Sequence, residues 1–227
     1  MVIAMTDSVL HWQDLTICHQ TLTRNHIRQG EKVRFIMHEK LQKEVLTSFF
    51  LCPISQECTS QSVWLERQQK RFAAGSAEFC NQVSCIIRQR GLLANLTLKE
   101  NLLLPFLYAD QQAPLQQAEK DLQQVAHFLE IEDNLNEKAG ERPTYMHGLI
   151  SLGHCLLKKP CIVIAQDLHL SVQDEYTTKF HRKVLKILKQ LNPGVLYLTS
   201  SKSNQSGLSF HRSYHLMCDM DANMGWS

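Results

Sequence analysis

The chain has 227 residues and a formal net charge of +2, with 44% hydrophobic, 20% charged and 7% aromatic residues. The hydrophobic content is too high and the net charge too low for a disordered chain, and the length suits one large domain. Its longest apolar stretch, residues 102–109, is far shorter than the roughly 20 residues of a membrane-spanning helix. Met1–Asp7 lack a signal-peptide pattern, and no strongly basic face indicates a nucleic-acid partner. We therefore predict a soluble, cytoplasmic globular chain.

Glycine and cysteine usage adds two clues. Only 9 residues are glycine, and none of them lies between Glu31 and Ala74. The 8 cysteines form no C-x-x-C pair, so we predict buried, reduced thiols without a disulfide. His211, His215 and Cys218 have a loosely zinc-like spacing, but no second ligand pair accompanies them. We predict no metal site.

Short apolar runs alternate with helical patterns, as in proteins with a mostly parallel α/β sheet. The runs that predict strands are residues 32–37, 83–88, 161–165 and 195–199. The last two are continuously apolar, which is typical of strands covered on both faces. A helix that ends before Pro193 is predicted between them. Its basic row is predicted to be a solvated face rather than a phosphate or membrane site: Lys179, Arg182, Lys183, Lys186 and Lys189.

The middle of the chain predicts helices instead of strands. Thr97 and Glu100 have the spacing of a capping box, which opens a helix that carries Leu103, Phe106 and Leu107. Pro114 lies in the first turn of a second predicted helix. We therefore predict a helical lobe over residues 95–142, inserted into an α/β core made of residues 1–94 and 143–227.

Three segments occur in the order found in the ATP-binding cassettes (ABC) of transporters. Residues 27–36 resemble the turn and strand that lead into that family's phosphate-binding loop. Residues 91–106 are similar to the segment after the Q-loop in cassettes that move lipids or lipoproteins at the bacterial envelope. Residues 157–165 resemble the run into the Walker B strand. The resemblance implies a P-loop NTPase-like (ABC ATPase) fold over residues 1–227: a RecA-like core with a mostly parallel sheet and flanking helices, a small antiparallel portion and the helical lobe.

The phosphate-binding loop is the first functional element that this sequence lacks. Its pattern is G-x-x-x-x-G-K-[ST], because glycines let backbone N–H groups surround phosphate oxygens. Aligned on Lys43, the chain has Met37 and Gln42 where the two glycines stand, and Glu44 where a hydroxyl holds Mg²⁺. The Glu44 carboxylate would face phosphate charge. Lys43 alone matches, and a lone lysine in a charged segment is more often solvent-facing, so we predict no family-type ATP binding.

The Q-loop and the signature sequence also differ from the family pattern. Arg88 stands at the end of a predicted strand where the Q-loop glutamine is expected, and Gln89 follows one place late. The family's L-S-G-G-Q signature supplies backbone amides and a serine hydroxyl to the opposite subunit's nucleotide. Here the corresponding residues 143–151 are shorter, with one glycine and no serine at the expected place.

Four further positions complete the vestigial nucleotide site. Gln166 and Asp167 replace the Asp-Glu pair of Walker B, so the Mg²⁺-orienting carboxylate is an amide and the base is one methylene shorter. Ser200 stands where the switch histidine is expected. Trp12 lies near the place of the family's aromatic adenine platform, although a tryptophan near a first strand is more often part of the core. Asp167 retains a base, without a metal–phosphate site for it to serve.

Loss of the chemistry with retention of the fold predicts a catalytically degenerate cassette. Such a chain would be a structural or regulatory subunit of a lipid or lipoprotein transport complex, with no ATP or Mg²⁺ cofactor of its own. The resemblance implies an inner-membrane permease as partner, docked in the cleft between sheet and lobe through Arg88, Leu92, Leu93 and Leu102. It further implies a second cassette, identical or different, and a peripheral position on the cytoplasmic face of the inner membrane.

Two alternatives remain open at this point. In the first alternative, the chain is an ATP-binding subunit that keeps weak nucleotide binding or ATPase activity, with ATP and Mg²⁺, in a dimer with an intact cassette. Against this, it lacks both halves of the composite sites that such a dimer needs. The other alternative is a thiol- or metal-dependent enzyme, supported only by Cys80, Cys85 and the 11 histidines. No nucleophile–base pair has a recognisable spacing.

Overall fold

The computed structural model describes residues 8–13, 15–17, 20–22, 25–39, 41–42, 45–46, 63–87, 92–107, 112–143, 145–167, 175–200 and 206–216. The strands are β1 (Ser8–Trp12), β2 (Leu15–Ile17), β3 (Gln20–Leu22), β4 (Asn25–Arg28), β5 (Lys32–Ile36), β6 (Val63–Arg67), β7 (Lys70–Ala73), β8 (Val83–Ile87), β9 (Ile162–Gln166), β10 (Gly194–Thr199) and β11 (Arg212–His215). The α-helices that are described without a gap are α1 (Ala77–Gln82), α2 (Leu98–Leu107), α3 (Gln112–Leu129), α4 (Tyr145–Lys158) and α5 (Glu175–Leu191). Short 3-10 turns cover Glu132–Asn134 and Ala139–Glu141.

A five-stranded parallel sheet forms the centre of the molecule. Its strand order is β11-β5-β10-β9-β8, and every neighbouring pair runs parallel. The four strands predicted from apolar runs are confirmed as β5, β8, β9 and β10, each within one residue at either end. All six residues of β10 are buried, as expected of a strand that is covered on both faces.

An antiparallel sheet lies against one face of the parallel sheet. Its strand order is β4-β1-β6-β7, while β2 and β3 form a separate two-stranded pair. The turn between β6 and β7 consists of Gln68 and Gln69, both with positive φ (51° and 62°). These values are those of a type I′ hairpin turn, in which asparagine and glycine are the usual residues.

The parallel sheet separates two apolar clusters. Ile162 and Ile164 of β9 join the cluster that contains the core residues of β1, β4 and β6. Val163 and Ala165 of the same strand join the other cluster, which contains the buried residues of helices α2 to α5. Successive side chains of a strand point to opposite faces, so one apolar run supplies both layers.

Helices α2 and α3 and the two 3-10 turns fall within residues 95–142. The predicted capping box opens α2: the Glu100 carboxylate accepts the Thr97 N–H (2.7 Å), and the Thr97 hydroxyl accepts the Glu100 N–H (3.1 Å). Pro114 lies in the first turn of α3, and α5 ends at Leu191, two residues before Pro193, as predicted. Among the described residues, no helix has the length and apolar character that crossing a membrane requires.

Candidate functional site

The carboxyl ends of β5, β8, β9 and β10 lie at one edge of the parallel sheet. In open α/β sheets, ligands bind outside this edge. The sequence positions predicted to be vestigial nucleotide contacts follow these strands directly. This edge of the sheet is therefore the candidate site.

The described residues after β5 include the start of a helix. The strand ends at Ile36, and residues 39, 41–42 and 45–46 are already in helical conformation. The amide groups of Leu41 and Gln42 both donate to the carbonyl of His38, over 2.9 and 3.2 Å. These two N–H groups are therefore committed within the chain, whereas a phosphate-binding loop directs such groups at its ligand.

Four of the described side chains of the same connection face inward. Met37 and Gln42 are buried, and the Gln42 amide Nε2 lies 3.5 Å from the Met37 carbonyl. Leu41 and Val45 belong to the apolar cluster on that side of the sheet. Met37, Leu41 and Gln42 do not fit a nucleotide phosphate, because their amides donate within the chain and their side chains are buried. Lys43 and Glu44 lie outside the described residues.

Asp167 joins the ends of β9 and β10. It is only 4% exposed, and its φ of 37° lies in the left-handed region. Its carboxylate accepts the Ser200 N–H (3.1 Å), and its own N–H donates to the Leu198 carbonyl (2.9 Å). The Asp167 carboxylate thus links the carboxyl ends of β9 and β10. Gln166 is half-buried at the end of β9, and the Ser200 side chain is exposed.

The segment that corresponds to the signature is the first half of α4. The helix begins at Tyr145, and Gly148 lies buried inside it rather than at its N-terminus. The Ser151 hydroxyl donates to the Cys85 carbonyl (2.8 Å) and accepts the Ile87 N–H (3.2 Å). Ser151 therefore fastens α4 to β8, a role that the sequence analysis did not foresee.

The alternative that Trp12 stacks on adenine is wrong. The side chain is 1% exposed, and its ring packs edge-on against Phe35 with 5.7 Å between the ring centroids. Because no face of the ring is open, Trp12 belongs to the core between the two sheets. Trp12 is therefore a core residue, as is usual for a tryptophan near a first strand.

Residues 92–97 form a hydrogen-bonded turn that leads into α2. The buried Asn101 side chain donates to the carbonyls of Leu93 (3.1 Å), Leu96 (3.4 Å) and Thr97 (2.9 Å), and its Oδ1 accepts the Leu93 N–H (3.0 Å). His154 of α4 lies 2.9 Å from the Asn101 carbonyl. A single asparagine therefore fixes the whole turn.

The turn is also attached to residues 135–140. Ala139 N–H donates to the Leu96 carbonyl (2.9 Å), and Gly140 N–H to that of Ala94 (3.1 Å). A Cβ atom at Gly140 would lie 3.0 Å from the Ala94 Cβ, so the two segments are in close contact. These bonds hold the 92–97 turn as a rigid part of the surface.

The leucines predicted to contact a permease separate into two groups. Leu93 is 49% exposed at the tip of the turn, and Leu92 is half-buried against the helical cluster. Leu102 is fully buried, so its assignment as a contact residue is wrong. It faces Gly153 of α4, where an added Cβ would approach Leu102 Cδ2 to 2.2 Å. Arg88 and Gln89 lie outside the described residues.

The cysteine and histidine predictions have mixed outcomes. Cys155 and Cys161 are buried as predicted, but Cys80 and Cys85 are only half-buried. Burial raises the pKa of the Cys161 thiol. It also raises the pKa of the Cys80 thiol, which is less completely buried. The His211 ring Nδ1 accepts the Lys32 N–H (3.0 Å). Cys218 lies outside the described residues, in which no group of three His, Cys, Asp or Glu side chains is placed to hold a metal.

The arrangement of the parallel sheet, the antiparallel sheet and the inserted helices is the ABC ATPase fold, a P-loop NTPase-like α/β fold, as predicted. CbiO1 from Clostridium perfringens, part of the ABC transporter complex CbiONQ, superposes with a TM-score of 0.61 at 10% identity. That match covers 86% of this chain and 79% of CbiO1.

The ATP-binding cassette MJ0796, solved as a dimer with ADP and Pi, has a TM-score of 0.61 at 14% identity. The match covers 85% of this chain and 88% of that one. An ATP-binding subunit of an ABC transporter has a TM-score of 0.59 at 18% identity, with 84% and 79% covered. No protein-family model and no curated protein sequence matches the chain. At such identities the likeness establishes the fold.

Proposed function

We propose that this chain is a catalytically degenerate ABC-type cassette that acts as a structural or regulatory subunit of a membrane transport complex, without hydrolysing ATP. One observation carries the proposal. After β5, the amides of Leu41 and Gln42 donate to the His38 carbonyl instead of remaining available to a phosphate. A sequence without glycine between Glu31 and Ala74 does not readily return to the open loop.

The other vestigial positions support the same conclusion. The Asp167 carboxylate accepts the Ser200 N–H, and the Ser151 hydroxyl holds α4 on β8. Polar groups near the expected nucleotide contacts thus have partners inside the protein. A subunit that works by binding needs the fold to persist, and these contacts stabilise the fold.

A permease is the partner that this proposal implies. The turn of residues 92–97 offers an exposed leucine on a rigid backbone, which is suitable for docking because little ordering is required on binding. Arg88, at the old Q-loop position, would pair with an acidic helix of the permease. Similarity to CbiO1, a part of a transporter complex, and to the dimeric MJ0796 cassette supports a permease and a second cassette as partners.

Further aspects of the proposal come from the sequence resemblance. Residues 91–106 are similar to those of cassettes that move lipids or lipoproteins, which favours that class of cargo. A permease partner would place the chain at the cytoplasmic face of the inner membrane.

Nucleotide binding is the first test. Calorimetric titration of the full chain with Mg-ATP is expected to show no binding tighter than millimolar, and ATP hydrolysis should stay at background. The MJ0796 cassette, solved with ADP and Pi, is the positive control in the same buffer. Micromolar affinity that is lost in Lys43→Ala would contradict the proposal and support the alternative of a weakly active ATPase subunit.

Assembly is the second test. Co-purification with the permease should fall with Arg88→Glu but not with Lys70→Glu, a matched charge reversal on the exposed β7. Lys43→Ala and Asp167→Asn should leave both assembly and transport unchanged. If those two variants abolish transport while Arg88→Glu is silent, the chain is an ATPase subunit.

A further inference from the structure

A groove of about 660 Å³ lies between helix α5 and the end of α3. Four of its lining residues are cations of α5: Lys179, Arg182, Lys183 and Lys186. The others come from residues 124–130 and include Phe128 and Glu130. The cations are spaced i, i+3, i+4 and i+7, which places them on one face of the helix. None of the lining residues belongs to the 92–97 turn, so this groove is distinct from the proposed permease surface.

The basic face of α5 is not uniformly solvated, contrary to the sequence prediction. Arg182, Lys186 and Lys189 are exposed, but the Lys183 side chain is only 14% exposed. Its Nζ donates to the Phe128 carbonyl (2.9 Å) and to the Glu130 carboxylate (2.7 Å). The hydrogen bond from Lys183 lowers the pKa of Glu130, so this carboxyl is ionised at neutral pH.

The groove therefore already holds one carboxylate. Glu130 is the only acidic side chain among the lining residues, against four cations. Next to it, the Lys186 ammonium lies 4.9 Å from the centroid of the Phe128 ring, an attractive cation–π contact that orients the side chain. A positive field with an oriented lysine and an aromatic ring is complementary to an acidic ligand that also has apolar atoms.

We propose that this groove, which we call the α3–α5 groove, binds an acidic, extended segment of a partner protein. The spacing of the cations carries the choice of an extended peptide. Arg182 and Lys186 are one α-helical turn apart, about 6 Å along the axis. Alternate residues of an extended strand are about 6.6 Å apart and point to the same side. Acidic residues at alternate positions of the segment would therefore meet both cations.

The concave shape favours a polypeptide over a membrane surface. A bilayer is flat and would meet the whole exposed basic row of α5, including Lys189, which does not line the α3–α5 groove. A segment inside the groove would contact Lys186 but not Lys189. This difference allows the two occupants to be separated by experiment.

The probe is a fluorescein-labelled (Glu-Ser)₅ peptide, titrated against the full chain by fluorescence anisotropy at low salt. We expect saturable binding that Lys186→Glu weakens about tenfold, because one attraction becomes a repulsion. Lys189→Glu makes the same charge change outside the groove and should alter affinity by less than about twofold. A labelled (Gln-Ser)₅ peptide should not bind.

Glu130→Gln provides an independent variant with the opposite direction. It removes the internal carboxylate that competes for Lys183, so peptide affinity should rise about threefold, while Glu119→Gln on the exposed side of α3 should change it less. Melting curves of all variants check that each is folded.

Three results would overturn the inference. These are failure of (Glu-Ser)₅ to bind the unsubstituted chain, equal weakening by Lys186→Glu and Lys189→Glu, and binding only to phosphatidylglycerol vesicles or to tripolyphosphate in parallel titrations. The last result would identify a phosphate-bearing ligand or a membrane as the occupant. None of these outcomes depends on the nucleotide titration, because the α3–α5 groove and the β5 connection share no residue.

Discussion

Two connections that follow strands of the same parallel sheet differ in what determines their structure. Residues 92–97, in the connection from β8 to α2, are held by side chains: Thr97, with Glu100 and Asn101 of the first turn of α2, supplies the hydrogen bonds. After β5, Leu41 and Gln42 are held by backbone bonds to the His38 carbonyl, in a helix that starts almost at the end of the strand. The first connection is specified by its particular residues, and the second has adopted a conformation open to most sequences.

This difference illustrates how the same fold can be built without a glycine-rich phosphate-binding loop. A phosphate-binding loop is an exposed backbone conformation that only glycine permits at low cost. When other residues replace the glycines, the segment forms helical bonds and buries its side chains in the core, as Leu41 and Val45 do. The 92–97 turn has its own stabilising contacts, so its structure does not depend on nucleotide chemistry.

The largest expected effect distinguishes two of the three leucines first assigned to the permease surface. Leu102→Ala removes a fully buried side chain that packs on Gly153, and we expect a loss of about 2–5 kcal/mol in the free energy of unfolding. Leu93→Ala, at the exposed tip, should change it by less than about 0.5 kcal/mol. Urea unfolding of both variants measures this directly, and equal losses would refute the rigid, outward-facing turn.

Asn101 should give the next largest effect. Asn101→Ala leaves the Leu93 N–H without its side-chain acceptor and three carbonyls without a side-chain donor, at a cost of about 1–3 kcal/mol. Asn95→Ala, an exposed position in the same turn, is the control. Hydrogen exchange of the Leu93 amide should accelerate only in the Asn101 variant. An unchanged rate would mean that the backbone bonds to residues 139 and 140 suffice to hold the turn.

The fold was largely predictable because its signals are local and physical. The continuous apolar runs at 161–165 and 195–199 are strands of the parallel sheet, and Thr97 and Glu100 form the predicted capping box. The turn between β6 and β7 carried no such signal. Gln68 and Gln69 adopt positive φ without asparagine or glycine, so nothing in the residue types marks a type I′ turn.

At the candidate site, the sequence could show where the family pattern is not matched but not what the residues at those positions do. Gln42 stands where the pattern has a glycine, and its burial depends on a helix whose start no motif indicates. Ser151 and Asn101 were missed because each acts through tertiary contacts, one with β8 and one with the 93–97 backbone. Asparagine eight residues after a leucine has no recognisable pattern until the chain is folded.

The hydrogen bond between Asp167 and Ser200 is expected to stabilise the edge of the sheet where β9 and β10 end. Asp167→Ala removes the acceptor of the Ser200 N–H and places alanine at a φ of 37°, so we expect a loss of about 1–2 kcal/mol in unfolding free energy. Asp167→Asn keeps an oxygen acceptor, and asparagine tolerates the left-handed region, so stability should hardly change. Thermal melts of the two variants provide the measurement. A large loss in Asp167→Asn would show that the negative charge itself is needed at this edge.

The smallest effect is a pH dependence within the capping box. The Thr97 backbone N–H, followed by the Thr97 hydroxyl, lowers the pKa of Glu100, so the folded chain binds this proton more weakly than the unfolded chain. The stabilisation by the ionised carboxylate is therefore complete above the unfolded pKa of about 4.3 and is lost as pH falls through the lower folded pKa.

Glu100→Gln isolates this effect, because glutamine retains the hydrogen-bonding geometry of a capping box without the charge. The melting temperature of the variant should lie below that of the parent chain at pH 7, and the difference should close as the pH is lowered through about 4. Glu119→Gln removes an exposed carboxylate on α3 outside the capping box and is the matched control. If lowering the pH did not change the difference in melting temperature between Glu100→Gln and the parent chain, the capping box would act through geometry alone. The 92–97 turn would then resemble the β5 connection in depending little on side-chain charge.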